Sequence, residues 1–123
     1  MREDLQKKLK IEYSEILNVG IECGDGWYEL IWELLHDIRK QCKKKLLKCR
    51  VSQIKEKYGG LRLYYDAWSK AEDARFDDEI DNLIKEAEDK SLTICEECGA
   101  PGSIRKGGWI NTLCDEHAFR EAK

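Results

Sequence analysis

The sequence predicts an α+β protein with a helical body, a β-hairpin within that body, and a small C-terminal unit held by paired cysteine and histidine ligands. Apolar residues recur at helical spacing between 27 and 42, the period changes toward two after Val51, and two Cys/His pairs lie near the end. With 123 residues and 41% apolar side chains, the chain is long enough for one hydrophobic core. We place the body at 1–92 and the C-terminal unit at 93–123.

The helices of the body are predicted from apolar periodicity. A first helix falls within 4–18, and a stronger one runs from Trp27 to about Cys42. The turn before the second helix contains Asp25, which we expect to cap that helix. A third, acidic helix follows the hairpin. Its apolar side is formed by Phe76, Ile80, Leu83, Ile84 and Ala87.

Two strands are predicted between the second and third helices, at 50–57 and 61–66. A Gly59-Gly60 turn joins them. Because side chains alternate along a strand, one face of the second strand is polar and aromatic, and we expect it to be open to a ligand or a partner. That face carries Arg62, Tyr64 and Asp66, and the opposite face carries Leu61, Leu63 and Tyr65.

The net charge of -3 conceals a strongly basic central segment. Residues 39–62 contain ten basic and one acidic residue, a net of +9, whereas 1–38 and 63–123 carry -5 and -7. Such a local field attracts phosphate groups, while the acidic remainder argues against a general nucleic-acid coat. No stretch approaches the ~20 apolar residues of a membrane span, and the N-terminus is too charged for a secretory signal. We therefore expect a soluble, cytoplasmic protein with no membrane partner.

The paired ligands predict a structural zinc site. Cys95-x2-Cys98 and Cys114-x2-His117 are separated by fifteen residues, and four such ligands fill the tetrahedral coordination of Zn²⁺. Gly99 after the first pair is typical of a zinc knuckle, 103–112 predicts a short hairpin, and the second pair opens a final helix. This order is that of a treble-clef zinc finger, with one structural Zn²⁺ per chain.

The remaining cysteines, Cys23, Cys42 and Cys49, have no ligand spacing and are predicted to be buried or incidental thiols. A catalytic zinc would need an open coordination position and a nearby general base. The sequence has no His-x-Glu pattern of the deaminase type. We therefore predict no catalytic residues, and an enzymatic role is the least supported.

The ligand-binding prediction falls on the basic strands, where positive charge, glycines, an arginine and tyrosines coincide. Phosphate-bearing ligands use these residue types for charge-assisted hydrogen bonds, close backbone approach and base stacking. The alternative is an ordinary solvated hairpin with lysines that protect an exposed edge. The predicted ligand residues are Lys55, Lys57, Tyr58, Gly59, Gly60, Arg62 and Tyr64, together with Trp27.

The run VSQIKEKYGGLRLYY, the acidic helix and the run CEECGAPGSIRKGGWINTLCDEH together resemble a family of small uncharacterised proteins carried by bacteriophages and prophages. The similarity covers roughly residues 20–118, with Tyr58 and Tyr64 at positions where related sequences often have Phe. The resemblance brings no activity. It implies a phage accessory protein that acts inside a bacterial cell and is dispensable for building virions.

Two functions remain open at this point. The first is anti-defence: the protein binds and sequesters a phosphate-bearing, nucleotide-type signalling molecule without catalysis. The second is a zinc-stabilised module that binds nucleic acid or a host transcription or regulatory protein. A homo-oligomer with a pocket shared between two copies is a further expectation for a chain of this size.

Overall fold

A computed structural model describes the backbone of residues 1–70 and 76–121, with side chains through Ala118. It confirms the α+β class. The helices are α1 (Glu3–Glu12), α2 (Tyr28–Lys45), α3 (Asp78–Ser91) and α4 (Asp115–Glu121), and a 3₁₀ turn at Asp25–Trp27 leads into α2. The strands are β1 (Ile21–Glu22), β2 (Lys48–Lys57), β3 (Gly60–Trp68), β4 (Ser103–Arg105) and β5 (Asn111–Leu113).

Two separate sheets are formed. In the larger sheet β2 is central, with β1 parallel to it on one side and β3 antiparallel on the other. The β2–β3 register runs from Lys48 opposite Trp68 to Lys57 opposite Gly60, with an irregularity between Val51 and Gln53. Strands β4 and β5 form a small antiparallel hairpin in the C-terminal segment. Among the described helices, none has the length and apolar character needed to cross a bilayer.

The core lies between the helices and one face of the larger sheet. The apolar stripe of α2 is buried as its period predicts, and Val51, Ile54 and Leu61 of the sheet are completely buried with it. Burial alternates along β3, so every second residue points to the opposite, open face. A second, smaller cluster of Cys95, Leu113 and Cys114 forms in the C-terminal segment. The fold therefore leaves one sheet face available and adds a minor core around the cysteines.

The predicted first helix is wrong beyond residue 12. Helix α1 ends at Glu12, although Ile16 and Leu17 are buried as their apolar character suggests. Their backbone pairs with the sheet instead: the Val51 amide donates to the Ile16 carbonyl at 2.8 Å. Ile16 and Leu17 therefore continue the apolar spacing of the first helix in sequence, although their burial comes from pairing with β2.

Three local predictions also need correction. Asp25 does not cap α2, because its Oδ1 accepts from the Arg2 amide at 2.7 Å beside the start of α1. Phe76 precedes α3, and the helix begins after Asp77, whose Oδ2 accepts from the Ile80 amide at 3.1 Å. The hairpin turn lies one residue earlier than predicted. Its central residues are Tyr58 and Gly59, with φ of 53° and 84°, as a type I′ turn requires.

Candidate metal centre and ligand-binding surface

The four predicted metal ligands converge in the C-terminal segment, and their ligand atoms all lie within 4.8 Å of one another. Cys98 Sγ is 3.7 Å from Cys114 Sγ, and Cys95 Sγ is 3.7 Å from His117 Nδ1. A tetrahedral centre with metal–sulfur bonds of ~2.3 Å places its sulfur atoms about 3.8 Å apart. The side chains can therefore hold a metal ion in tetrahedral coordination.

Local backbone structure positions these ligands. Gly99, at φ 82°, turns the chain so that its amide donates to the Cys95 carbonyl at 2.9 Å. Cys114 directly precedes α4, and His117 lies in the first turn of that helix. Burial of the Cys95 thiol acts to raise its pKa, but backbone amides of Cys114, Cys98 and Glu97 outweigh this and lower the pKa to about 7. The thiolate needed for metal binding is thus favoured by the fold itself.

A carboxylate outside the ligand set orients the histidine. His117 Nε2 lies 3.6 Å from Glu97 Oε2, while Nδ1 faces the sulfur atoms. Such an outer carboxylate fixes the imidazole ring orientation and makes the ligating nitrogen more basic. Glu97 lies between the first two cysteines, so the knuckle supplies both ligands and the partner of the histidine.

The C-terminal segment is docked against the body through backbone contacts on the loop before α2. The carbonyl of Glu96 accepts from the Gly26 amide at 2.7 Å, and its Oε2 accepts from the Gly24 amide at 2.9 Å. A Cβ at Gly26 would overlap the Cys95 carbonyl oxygen and lie 2.6 Å from the Gly99 amide nitrogen. Only glycine allows the knuckle to approach this closely.

Trp27 is excluded from the predicted ligand surface. Its side chain is completely buried, and its indole Nε1 donates to the Ile94 carbonyl at 2.9 Å. The ring therefore joins the body to the C-terminal segment and cannot stack on an external base. The sequence already indicated this position, because Trp27 begins the apolar stripe that continues through Leu30 and Ile31.

The two glycines of the hairpin also serve packing and not ligand approach. Both are buried, and the carbonyl of Gly59 accepts from Thr112 Oγ1 at 2.7 Å. Its Cα faces Asn111 and Thr112 closely enough that a Cβ would lie 3.3 Å from the threonine oxygen. Gly60 faces Leu92 in the same way. The turn is thus seated on β5 and on the end of α3.

The other predicted ligand residues do lie together on the open side of the hairpin. Tyr58 and Tyr64 are 69% and 44% exposed, and the ammonium groups of Lys57 and Lys55 lie 5.6 and 5.9 Å from their rings. Arg62 sits opposite Lys55 across the strands, but its guanidinium is already paired with Glu88 Oε2 of α3 at 3.1 Å. It is the least free cation of the predicted set.

Sequence reasoning missed the continuation of this face toward the start of β2. Lys48 pairs with Trp68 and Arg50 with Asp66, so these side chains follow Tyr64 and Lys55 along the same side. Extending the alternation of β3 by two residues would have found Trp68. Lys48 and Arg50 share the face of Lys55 only because of the irregularity between Val51 and Gln53, which simple alternation along β2 does not predict. Among the described residues, Asp66 and Glu22 are carboxylates on this face, Glu22 pairing with Lys55 from β1, and Glu88 of α3 reaches Arg62. We refer to Lys48, Arg50, Lys55, Lys57, Arg62, Tyr58, Tyr64 and Trp68 as the basic–aromatic face.

The basic–aromatic face runs into a groove between the end of α2 and the start of β2. This groove has a volume of about 570 Å³ and is lined by Arg39, Lys43, Leu46, Lys48, Arg50 and Trp68, among others. A neighbouring hollow of about 600 Å³ shares Leu46, Lys48 and Trp68 with it. Lys43, Lys48 and Arg50 belong to the basic segment 39–62 of the sequence, but only the fold brings them to one groove.

The three cysteines outside the cluster are buried, as predicted. Burial raises the pKa of Cys23 to about 12. Cys42 shares a hydrogen bond with Cys49, and that contact together with burial raises the pKa of Cys49. The same hydrogen bond lowers the pKa of Cys42. Among the described residues, these three thiols do not belong to the group whose ligand atoms converge, which separates them from the Cys/His cluster.

Comparisons of the chain with protein-family models, with curated proteins and with solved structures gave no match.

Proposed function

We propose that this protein is a non-enzymatic binder of a phosphate-bearing, nucleotide-type ligand, and that one structural zinc ion braces its ligand-binding body. The observation that carries the proposal is the basic–aromatic face, where the cations of β2 lie beside exposed aromatic rings of β3 on one open side of the hairpin. Base stacking on an exposed aromatic side chain contributes about 1–3 kcal/mol per base, and lysine and arginine contact the phosphates.

Zinc is the metal that this donor set suits best. Three thiolates and one imidazole in tetrahedral array are typical of zinc, and all four positions are filled by side chains. A closed site gives no position at which water could be activated, so the metal supports a structural role. Its structural effect would reach the ligand surface, because the C-terminal segment contacts the hairpin turn through Thr112 and Gly59.

The phage resemblance supplies a setting for such a binder. An accessory protein that sequesters a nucleotide signal inside the host cell would block a defence response that depends on that signal. The alternative is a zinc-stabilised module that binds nucleic acid or a host regulatory protein. A different observation favours it: the basic–aromatic face is long and open, whereas a small-molecule site usually encloses its ligand.

Thermal unfolding with a panel of cyclic and ADP-ribose-type nucleotides tests the proposal. A ligand that binds only the folded protein raises its Tm by mass action. The double variant Lys55→Gln/Lys57→Gln should lose this shift. The matched control Lys7→Gln/Lys8→Gln removes the same charge from exposed positions on α1 and should keep it.

Three results would overturn the proposal. The first is that no nucleotide or oligonucleotide raises the Tm, and the second is that both double variants lose the shift equally. The third is recovery of a cleaved ligand after incubation with the protein, since the proposal requires the ligand to be returned intact.

A further inference from the structure

We propose that the ligand is a single-stranded nucleic acid that lies along the basic–aromatic face and continues into the groove at the end of α2. This inference depends on the proposed function and specifies its ligand class. It adds a contact region, formed by Lys43, Leu46, Lys48, Arg50 and Trp68, that sequence reasoning did not identify.

The dimensions of the surface favour a polymer. From Lys48 to Lys57 the strand β2 covers nine residue steps, or about 30 Å at the usual rise per residue. The rings of Trp68 and Tyr64 are four residues apart on β3, so they are separated by about 13 Å along the strand. A single nucleotide could contact only part of this row, whereas a strand of several nucleotides could contact all of it.

The groove contributes cations that are free to bind phosphate. Among the residues whose side chains are described, no carboxylate lies within salt-bridge distance of Lys43, Lys48 or Arg50. Arg39 and Lys45 differ, because they pair with Glu12 and Asp77 at 3.0 and 2.8 Å. The C-terminus of α2 carries the negative end of the helix dipole, which weakens anion binding by Lys43. Lys48 and Arg50 lie on the strand beyond it.

The floor of the groove is apolar and exposed. Leu46 adopts φ 54° at the end of α2 and is 85% exposed, in a conformation that usually requires glycine. A left-handed conformation is sterically unfavourable for a non-glycine residue, and exposure of the apolar side chain to water is unfavourable as well. Leu46 and Trp68, which is 37% exposed, line the same groove. Together they offer an apolar surface to bases and sugars.

The exposed rings favour a single strand over a duplex. Aromatic side chains can stack on the unpaired bases of a single strand, because these bases can turn outward. The bases of a duplex, by contrast, present only their edges in the grooves. Trp68, Tyr64 and Tyr58 are all exposed on the side of the sheet that carries the lysines. Asp66 and Glu22 on the same face would repel a phosphate backbone locally and thereby restrict its path.

Fluorescence anisotropy with labelled homopyrimidine oligonucleotides of 4, 8 and 12 nucleotides tests this inference. We expect affinity to increase with length and to fall steeply with salt. Each phosphate contact contributes about 0.7 to the slope of log K against log salt for single strands, so Lys43→Gln/Lys48→Gln should lower the slope by about 1.4. Trp68→Leu should weaken binding roughly tenfold through lost stacking. Lys7→Gln/Lys8→Gln serves as control, and thermal unfolding confirms that each variant is folded.

The outcomes separate the two proposals. If a mononucleotide binds with sensitivity to Lys55 and Lys57 while oligonucleotides bind no better, the ligand class is wrong and the proposed function stands. If a duplex of equal length binds more tightly than the single strand, the preference for a single strand is wrong. If Lys43→Gln/Lys48→Gln leaves affinity and salt slope unchanged, the proposed path through the groove is wrong. If no phosphate-bearing ligand binds, both proposals fail.

Discussion

The hydroxyl of Thr112 donates a 2.7 Å hydrogen bond to the carbonyl oxygen of Gly59, a contact between residues 53 positions apart. Both residues are buried. Through it the C-terminal segment supports the turn of the β2–β3 hairpin, at one end of the basic–aromatic face. The metal cluster and the proposed ligand surface are therefore parts of one packed structure.

Thr112→Val should destabilise the protein by about 1–3 kcal/mol, because valine keeps the shape but leaves the buried Gly59 carbonyl without its donor. Urea unfolding gives this difference in free energy. Thr93→Val is the matched control, since the Thr93 hydroxyl also donates to a carbonyl, that of Lys90, but at an exposed position where water can replace it. Equal losses in the two variants would contradict the interpretation.

Gly26→Ala should be severely destabilising, by at least about 3 kcal/mol, since its Cβ would collide with backbone atoms of the knuckle. We expect the variant to melt at a lower temperature and to retain less metal. Gly107→Ala is the control, because nothing lies within 4 Å of a Cβ there, and its effect should stay within about 0.5 kcal/mol. A Gly26→Ala protein as stable as wild type would show that the knuckle does not dock here.

Metal analysis should find about one zinc per chain, and chelation should unfold the C-terminal segment, because binding free energy is folding free energy in such sites. The local core of Cys95, Leu113 and Cys114 is too small to hold the segment alone. Hydrogen exchange measures this directly: after chelation, amides of 93–121 should lose protection before those of α2.

Cys98→Ser should lower the zinc content, whereas Cys23→Ser, a change at a buried thiol outside the cluster, should leave it unchanged. Metal-free protein with full protection in the C-terminal segment would refute a structural metal.

The Asp77 carboxylate should make stability depend on acid pH. Burial acts to raise its pKa, but the hydrogen bond from Lys45 and the amides at the start of α3 lower it below the ordinary value of 3.8. A group with a lowered folded pKa stabilises above its unfolded pKa, and the stabilisation is lost as pH falls through the folded pKa.

Asparagine keeps the helix cap but loses the ion pair with Lys45. Wild type should therefore be more stable than Asp77→Asn at pH 7 by about 0.2–1 kcal/mol, and the difference should close below about pH 4. Denaturant unfolding from pH 7 to pH 2.5 follows this difference. Asp78→Asn, at an exposed position in the first turn of α3, should show a much smaller dependence. A constant difference for Asp77→Asn across the pH range would be inconsistent with the proposed pairing.

Helix α2 and the hairpin could be predicted because their signals are local. An amphipathic stripe identifies a helix over several turns, and alternation around a turn identifies two strands. The end of α1 could not be predicted, since Ile16 and Leu17 are buried by pairing with a strand more than 30 residues away.

The sequence by itself determined the metal-binding residues, because ligand spacing within a knuckle and a helix start is a short-range property. It also established that positive charge is concentrated between 39 and 62. Only the tertiary structure decided which of those charges are free. Arg62 is paired with Glu88 from another element, while Lys48 and Arg50 lie open beside Trp68 and Leu46. Whether a cation is free depends on neighbours that folding brings from distant parts of the chain.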